Sequence, residues 1–193
     1  MISHTEPQSA LFRQRWASSS LPTLVMGGLT LCFLLCAVAY WVAIVPSVRF
    51  PADILLFSES DFVADITKLQ TGQPVYTGEK DNSSQVYPVG AQFVTNLAAT
   101  LTGQTKSVPF FRWMQVLFTL AAAFFAWLSF RALGRLAGLE RLPGYSHGVW
   151  MAGALLALYL AAINKITNPF VHLLHPDALA QLLASIGFYL LVR

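Results

Sequence analysis

"PTLVMGGLTLCFLLCAVAYWVAIVP", residues 22–46, carries no charge, and none occurs between Arg15 and Arg49. A helix needs about 20 apolar residues to cross the hydrocarbon core of a bilayer, and this run is longer. A cleaved secretory signal usually has an apolar stretch of roughly 7–15 residues closed by a small-x-small site. This run is too long for that and has no such site. It therefore reads as a retained span over 21–46, preceded by a tail over 1–20. Cys32 and Cys36 stand four apart inside it and read as apolar filler. A disulfide within one helical turn is geometrically poor, and a metal would need further ligands nearby. Gly27, Gly28 and the later Gly153 read as close-packing positions between helices.

The rest of the chain belongs to the same class. Of its 193 residues 55% are hydrophobic and only 11% charged, and the mean hydropathy is +0.57. A soluble domain is about a quarter charged, and one of this composition would expose more apolar surface than water tolerates. Three further spans follow, at 112–130, 148–163 and 178–193. The first is bracketed by Arg112 and Arg131, with Trp113 and Trp127 near its ends, as interfacial anchors should be. The last is short and reads as cut off by the end of the chain. The expected fold is all-α: a polytopic membrane bundle of about four transmembrane helices. The net charge of +3, without any clustered basic run, excludes a nucleic-acid partner.

Short loops set orientation. Arg13 and Arg15 precede the first span, and Arg131, Arg135 and Arg141 fill the loop 131–147, whereas the loop 164–177 has only Lys165. The positive-inside rule places the N-terminus and 131–147 in the cytoplasm. The segment 47–111 is then extracytoplasmic. It predicts two amphipathic helices lying on the outer membrane surface, near 59–70 and 88–102. Ser58 or Ser60 can cap the first, and Gly72 stands just past its end. Pro88 opens the second, Gly103 closes it, and Phe93, Leu97 and Leu101 form a stripe at i, i+4, i+8.

The first outer helix concentrates acid in a chain otherwise poor in it. Asp65 precedes Lys68 by three residues and reads as its exposed ion-pair partner. Glu59 and Asp61 have two readings. They complement the positive helix N-terminus, or one of them takes a proton from an acceptor hydroxyl as a general base. Asp177, in His175-Pro176-Asp177 at the outer end of the last span, divides the same way between a first-turn cap and a second acid facing a shared polar cavity. His172 and His175 alone make no metal set.

In order and spacing these motifs resemble the GT-C glycosyltransferases. The shared pattern is a span and an acidic outer loop, then "DITKLQTGQPVYT" (65–77), "VYPVGAQFVTNLAATLTG" (86–103) and Arg112 before the second span, with "LHPDALAQLLA" (174–184) later. It covers roughly 50–193. The resemblance implies an integral membrane enzyme, in bacteria of the inner membrane, that moves a sugar from a polyprenyl-phosphate donor to an acceptor hydroxyl with inversion. It implies a general base in the first outer loop, at Asp61 or Glu59, and a second acid at Asp177. It implies substrate contacts at Tyr76, Tyr87 and His175, and cations for the lipid phosphate at Arg112 and Lys165. No cofactor beyond the lipid-linked donor is implied. Members of that family have more spans than this, so the chain reads as an N-terminal part whose partners include membrane lipid, the donor and its own remainder. The alternatives are a membrane transporter subunit and a non-catalytic assembly protein. A transporter is expected to place acids inside its spans, and none of the acids here lies within one.

Overall fold

The computed structural model describes residues 20–51, 57–76, 89–141, 145–146, 148–153, 155–156 and 177–193. Among them all regular structure is helical. The elements are α1 (Ser20–Arg49), α2 (Phe57–Thr71), α3 (Gly90–Thr102), α4 (Val108–Leu136), a 3-10 turn at Leu139–Arg141, and α5 (Asp177–Val192).

Two stretches, Gly27–Arg49 of α1 and the whole of α4, are long and apolar enough to cross a membrane. The 29 residues of α4 rise about 44 Å at 1.5 Å each, more than the roughly 30 Å of hydrocarbon. The helix therefore outruns the expected span 112–130 at both ends. Flanking arginines mark where a bilayer would end, but they do not stop a helix. α4 starts because Ser107 caps it, its Oγ accepting the Phe110 N–H at 3.2 Å, and Pro109 occupies the first turn where no N–H is needed. It ends where Gly138 takes a φ of 70°. α1 likewise runs through Pro46 to Arg49. α5 is apolar but has 16 residues, short of a full crossing. Of the expected third span, 148–153 and 155–156 are helical; its remainder, the loop 164–176 and the tail 1–19 lie outside the described residues.

Helices are present at both positions expected within 47–111. α2 begins at Phe57, so Ser58 and Ser60 lie inside it and do not cap it. Its end is set by Gly72 at φ 70°, after which the Gln73 N–H returns to the Lys68 carbonyl at 2.9 Å. α3 closes in the same way at Gly103, with the Gln104 N–H donating to the Ala99 carbonyl at 2.8 Å.

Two small apolar clusters hold the helices together. Phe62 and Ile66 of α2, Ala91 and Ala99 of α3 and Phe111 of α4 form one, and Leu179 of α5 packs against it. Ile44 and Val48 at the end of α1 meet Val116 of α4 in the other, beside Trp41. α5 lies along α4. Its start, at Leu179, is beside the Phe111 end of α4, and Tyr189 near its finish stacks on Phe125 with ring centres 5.9 Å apart. The two helices therefore run parallel.

The surface is inverted relative to a water-soluble protein. On α3 the buried face is Ala91, Gln92, Thr95 and Ala99, while Phe93, Leu97 and Leu101 are exposed, Leu101 at 78%. α1 exposes leucine and valine on most of its circumference, and so does the outer face of α4. Apolar surface this extensive is covered by something other than water. Glycine behaves differently at the two predicted packing sites. A Cβ at Gly27 or Gly28 would meet nothing within 4 Å, whereas one at Gly153 would stand 2.9 Å from the Trp127 ring. Close approach is therefore needed at Gly153 and not at the pair in α1.

Candidate functional site

Of the residues singled out in the sequence, Glu59 and Arg112 meet where α1 ends and α2 and α4 begin. Arg112, on the first turns of α4, is fully buried, as is Glu59 on the first turn of α2. Its Nε and Nη2 donate to the two oxygens of Glu59, each at 2.7 Å. Nη1 donates to the Ser47 carbonyl at 3.2 Å and to the Phe50 carbonyl. The last carbonyls of a helix have no intrahelical partner, and a cation there also meets the negative end of the helix dipole. Arg112 thus caps α1 and, through Glu59 at the positive end of α2, joins three helices.

This geometry corrects two expectations. Glu59 is not an available base, because both oxygens are bonded to a guanidinium and water does not reach it. Arg112 is not an available phosphate ligand, because its fork is turned inward onto Glu59 and two carbonyls. Asp65 is also corrected. It is 3% exposed and so buried rather than on the surface, and its Oδ2 accepts from Gln92 Nε2 of α3 at 3.2 Å.

Asp61 is different from both acids. It is exposed and carries no hydrogen bond or ion pair among the described residues. Residues four apart share a helix face, so Asp61 stands one turn from Asp65, on the flank of α2 that meets α3. Across that flank Gln92 Oε1, Thr95 Oγ1 and Asn96 Oδ1 are buried without a hydrogen-bond partner among the described residues, as are both polar atoms of Gln115 on α4. Buried polar atoms are almost always paired, with protein or with water. A row of unpaired ones marks a place for water or for a polar ligand. Gln92, Thr95 and Gln115 were missed in the sequence. Their signal was present, since Gln92, Thr95 and Asn96 fall on one helical face opposite Phe93, Leu97 and Leu101.

The remaining candidates divide plainly. Asp177 is exposed on the first turn of α5, two residues before the Leu179 that packs near Phe62 and Ile66. It is thus at the same end of the bundle as α2. Tyr76 is exposed, and its hydroxyl accepts the Val89 N–H at 3.2 Å. That bond serves the N-terminus of α3, which has no side-chain cap of its own. Tyr87, Lys165, His172 and His175 lie outside the described residues. A cavity of about 710 Å³ opens on the other flank of α2, lined by Val63, Thr67 and Gln70 together with Lys106, and does not include Asp61. Among the described residues no group of three His, Cys, Asp or Glu could hold a metal ion.

No protein-family model, curated protein or solved structure matches the chain.

Proposed function

We propose that this chain carries the first outer loop of a GT-C type membrane glycosyltransferase, with Asp61 as the general base. The observation that carries the reading is the unequal fate of two acids two positions apart, Glu59 and Asp61. Arg112 seals Glu59 inside the junction and so fixes the start of α2, and this leaves Asp61 open beside a polar flank. In the reaction the Asp61 carboxylate takes the proton of an acceptor hydroxyl. The hydroxyl oxygen forms a bond to the anomeric carbon while the bond from that carbon to the lipid phosphate breaks, with inversion and with the phosphate leaving as an anion. Gln92, Thr95 and Asn96 supply polar atoms for the acceptor beside it.

The proposed setting is a bacterial inner membrane, crossed several times, with the N-terminus in the cytoplasm and 47–111 outside. Three things support it: the two helices long enough to cross, the short-loop arginines, and the parallel run of α4 and α5, which requires the chain to return between Leu136 and Asp177. α3 then lies in the outer interface with Phe93, Leu97 and Leu101 toward lipid.

The test is transfer from radiolabelled polyprenyl-phosphate mannose and related donors in membranes carrying the full-length enzyme that includes this chain. Asp61→Asn keeps shape and hydrogen bonding but cannot take the proton. Loss of one acid–base group lowers the rate about 10²–10⁴-fold, or about 3–5 kcal/mol of barrier. Transfer by Asp61→Asn at the unaltered rate would refute the assignment.

A further inference from the structure

α4 ends in a second arginine site at the end opposite Arg112. Arg131 and Arg135, one helical turn apart, and Arg193 just past α5 line a single cavity of about 370 Å³. Its walls are apolar, with Leu128 and Leu136 on one side and Tyr189 on the other. None of the three guanidinium groups has an ion-pair partner among the described residues. The opening is net positive, and the like charges of Arg131 and Arg135, one helical turn apart, repel one another unless an anion joins them.

The surroundings give the depth of the site. Trp127 and Trp150 stack with ring centres 5.4 Å apart beside a neighbouring cavity of about 310 Å³ that shares Arg131 and Arg135. Tryptophan in such a position marks the headgroup level of a bilayer. Glu140 lines that neighbouring cavity and makes it the less favourable flank for an anion. On the last turn of α5, just before Arg193, Leu190 and Leu191 are exposed, the latter at 82%.

We propose that the Arg131–Arg135–Arg193 cavity binds the headgroup of an anionic phospholipid, with the phosphate on the guanidinium forks and the acyl chains along Leu190 and Leu191. Guanidinium matches phosphate oxygens in pairs, which an ammonium cannot do. The apolar walls and the neighbouring leucines select a phosphate that is attached to a lipid, since a free phosphate ion leaves them uncovered. Basic pockets between helices on the cytoplasmic side suit such headgroups, and the short-loop arginines put this end there. This site is separate from the Asp61 flank and does not depend on its chemistry.

The protein is reconstituted in nanodiscs of phosphatidylcholine with added phosphatidylglycerol, and the lipid retained after mild delipidation is read by native mass spectrometry. The expected result is retention of phosphatidylglycerol over phosphatidylcholine by about tenfold or more. Arg131→Gln/Arg135→Gln is expected to abolish that preference, and Arg193→Gln, which leaves the loop charges intact, to reduce it several-fold. Arg141→Gln removes an equal charge from the same loop but outside the cavity, and is expected to leave the preference unchanged. Equal losses from Arg141→Gln and Arg193→Gln would overturn the site in favour of general attraction to the surface. Displacement of the retained lipid by millimolar inorganic phosphate would overturn the lipid assignment. Circular dichroism of each variant separates loss of binding from loss of fold, and Arg131→Lys/Arg135→Lys keeps the orienting charge if the glutamine pair fails to insert. An unchanged preference in that lysine variant would overturn the role of the guanidinium forks.

Discussion

α4 carries arginine at both ends, and the two ends have opposite fates. Arg112 is wholly buried and held by a carboxylate and two carbonyls. Arg131 and Arg135 are exposed and have no ion-pair partner among the described residues. In the sequence they look alike, as cations bracketing an apolar run. The difference lies in what the chain brings to each end. At Arg112 two other helices terminate, and their unpaired carbonyls and positively polarised N-terminus require a cation and an anion between them. At Arg131 the helix runs on for another turn, and the end of α5 that meets it brings a further arginine, Arg193. One end holds the molecule together, and the other offers charge to its surroundings.

The sharpest way to break this contrast is to remove half of the buried pair. Glu59→Ala leaves an uncompensated guanidinium in the junction, and Arg112→Ala leaves an uncompensated carboxylate. Either is expected to cost about 3–5 kcal/mol of folding stability, measured by denaturant titration in detergent micelles. The double replacement Glu59→Leu/Arg112→Met removes both charges and fills the space, and should restore most of the loss. It will not restore all of it, because Ser47 and Phe50 keep carbonyls that Arg112 had satisfied. Additive losses in the double variant would show that the two side chains do not act as a pair.

The same pair marks a limit of what the sequence carries. The long helices were legible because hydrophobic run length alone decides them. α2 and α3 were legible from 3–4 spacing and from Gly72 and Gly103. The partner of Arg112 was not, because half of its ligands are the backbone carbonyls of Ser47 and Phe50, which have no side-chain signature. Glu59 and Asp61 could not be told apart, since both are acids near a helix start and only the approach of α4 distinguishes them. The apolar stripe on α3 is visible in its spacing, whereas the facing polar row of Gln92, Thr95 and Asn96 matches no motif that would assign it a role. In water the apolar stripe of such a helix packs inward. Here it is exposed, and the polar row turns toward the bundle.

Gln92 is the next test in size. Its amide donates to buried Asp65, so Gln92→Leu removes that donor and leaves a carboxylate less well satisfied. A buried polar group deprived of a hydrogen bond costs about 1–3 kcal/mol. The same denaturation assay checks it, and a stability equal to that of the unaltered protein would mean that water or another side chain replaces the amide without loss. Because Gln92 also borders the Asp61 flank, its variant should lower transfer more than it lowers the amount of folded protein.

The smallest expected effect is at the other end of α4. Arg131→Gln removes an exposed guanidinium that has no ion-pair partner among the described residues, and an exposed substitution of this kind changes stability by about 0.5 kcal/mol or less. The backbone there is unaffected by the side chain: the Tyr145 hydroxyl donates to the Arg131 carbonyl at 3.1 Å, and glutamine keeps that carbonyl in place. In neutral detergent, where no anionic headgroup competes, Arg131→Gln and the unaltered protein should therefore unfold at the same denaturant concentration. Arg112→Gln, the same replacement at the other end of the same helix, should unfold far earlier. A loss at Arg131 approaching the loss at Arg112 would mean that both ends are structural, and the contrast along α4 would disappear.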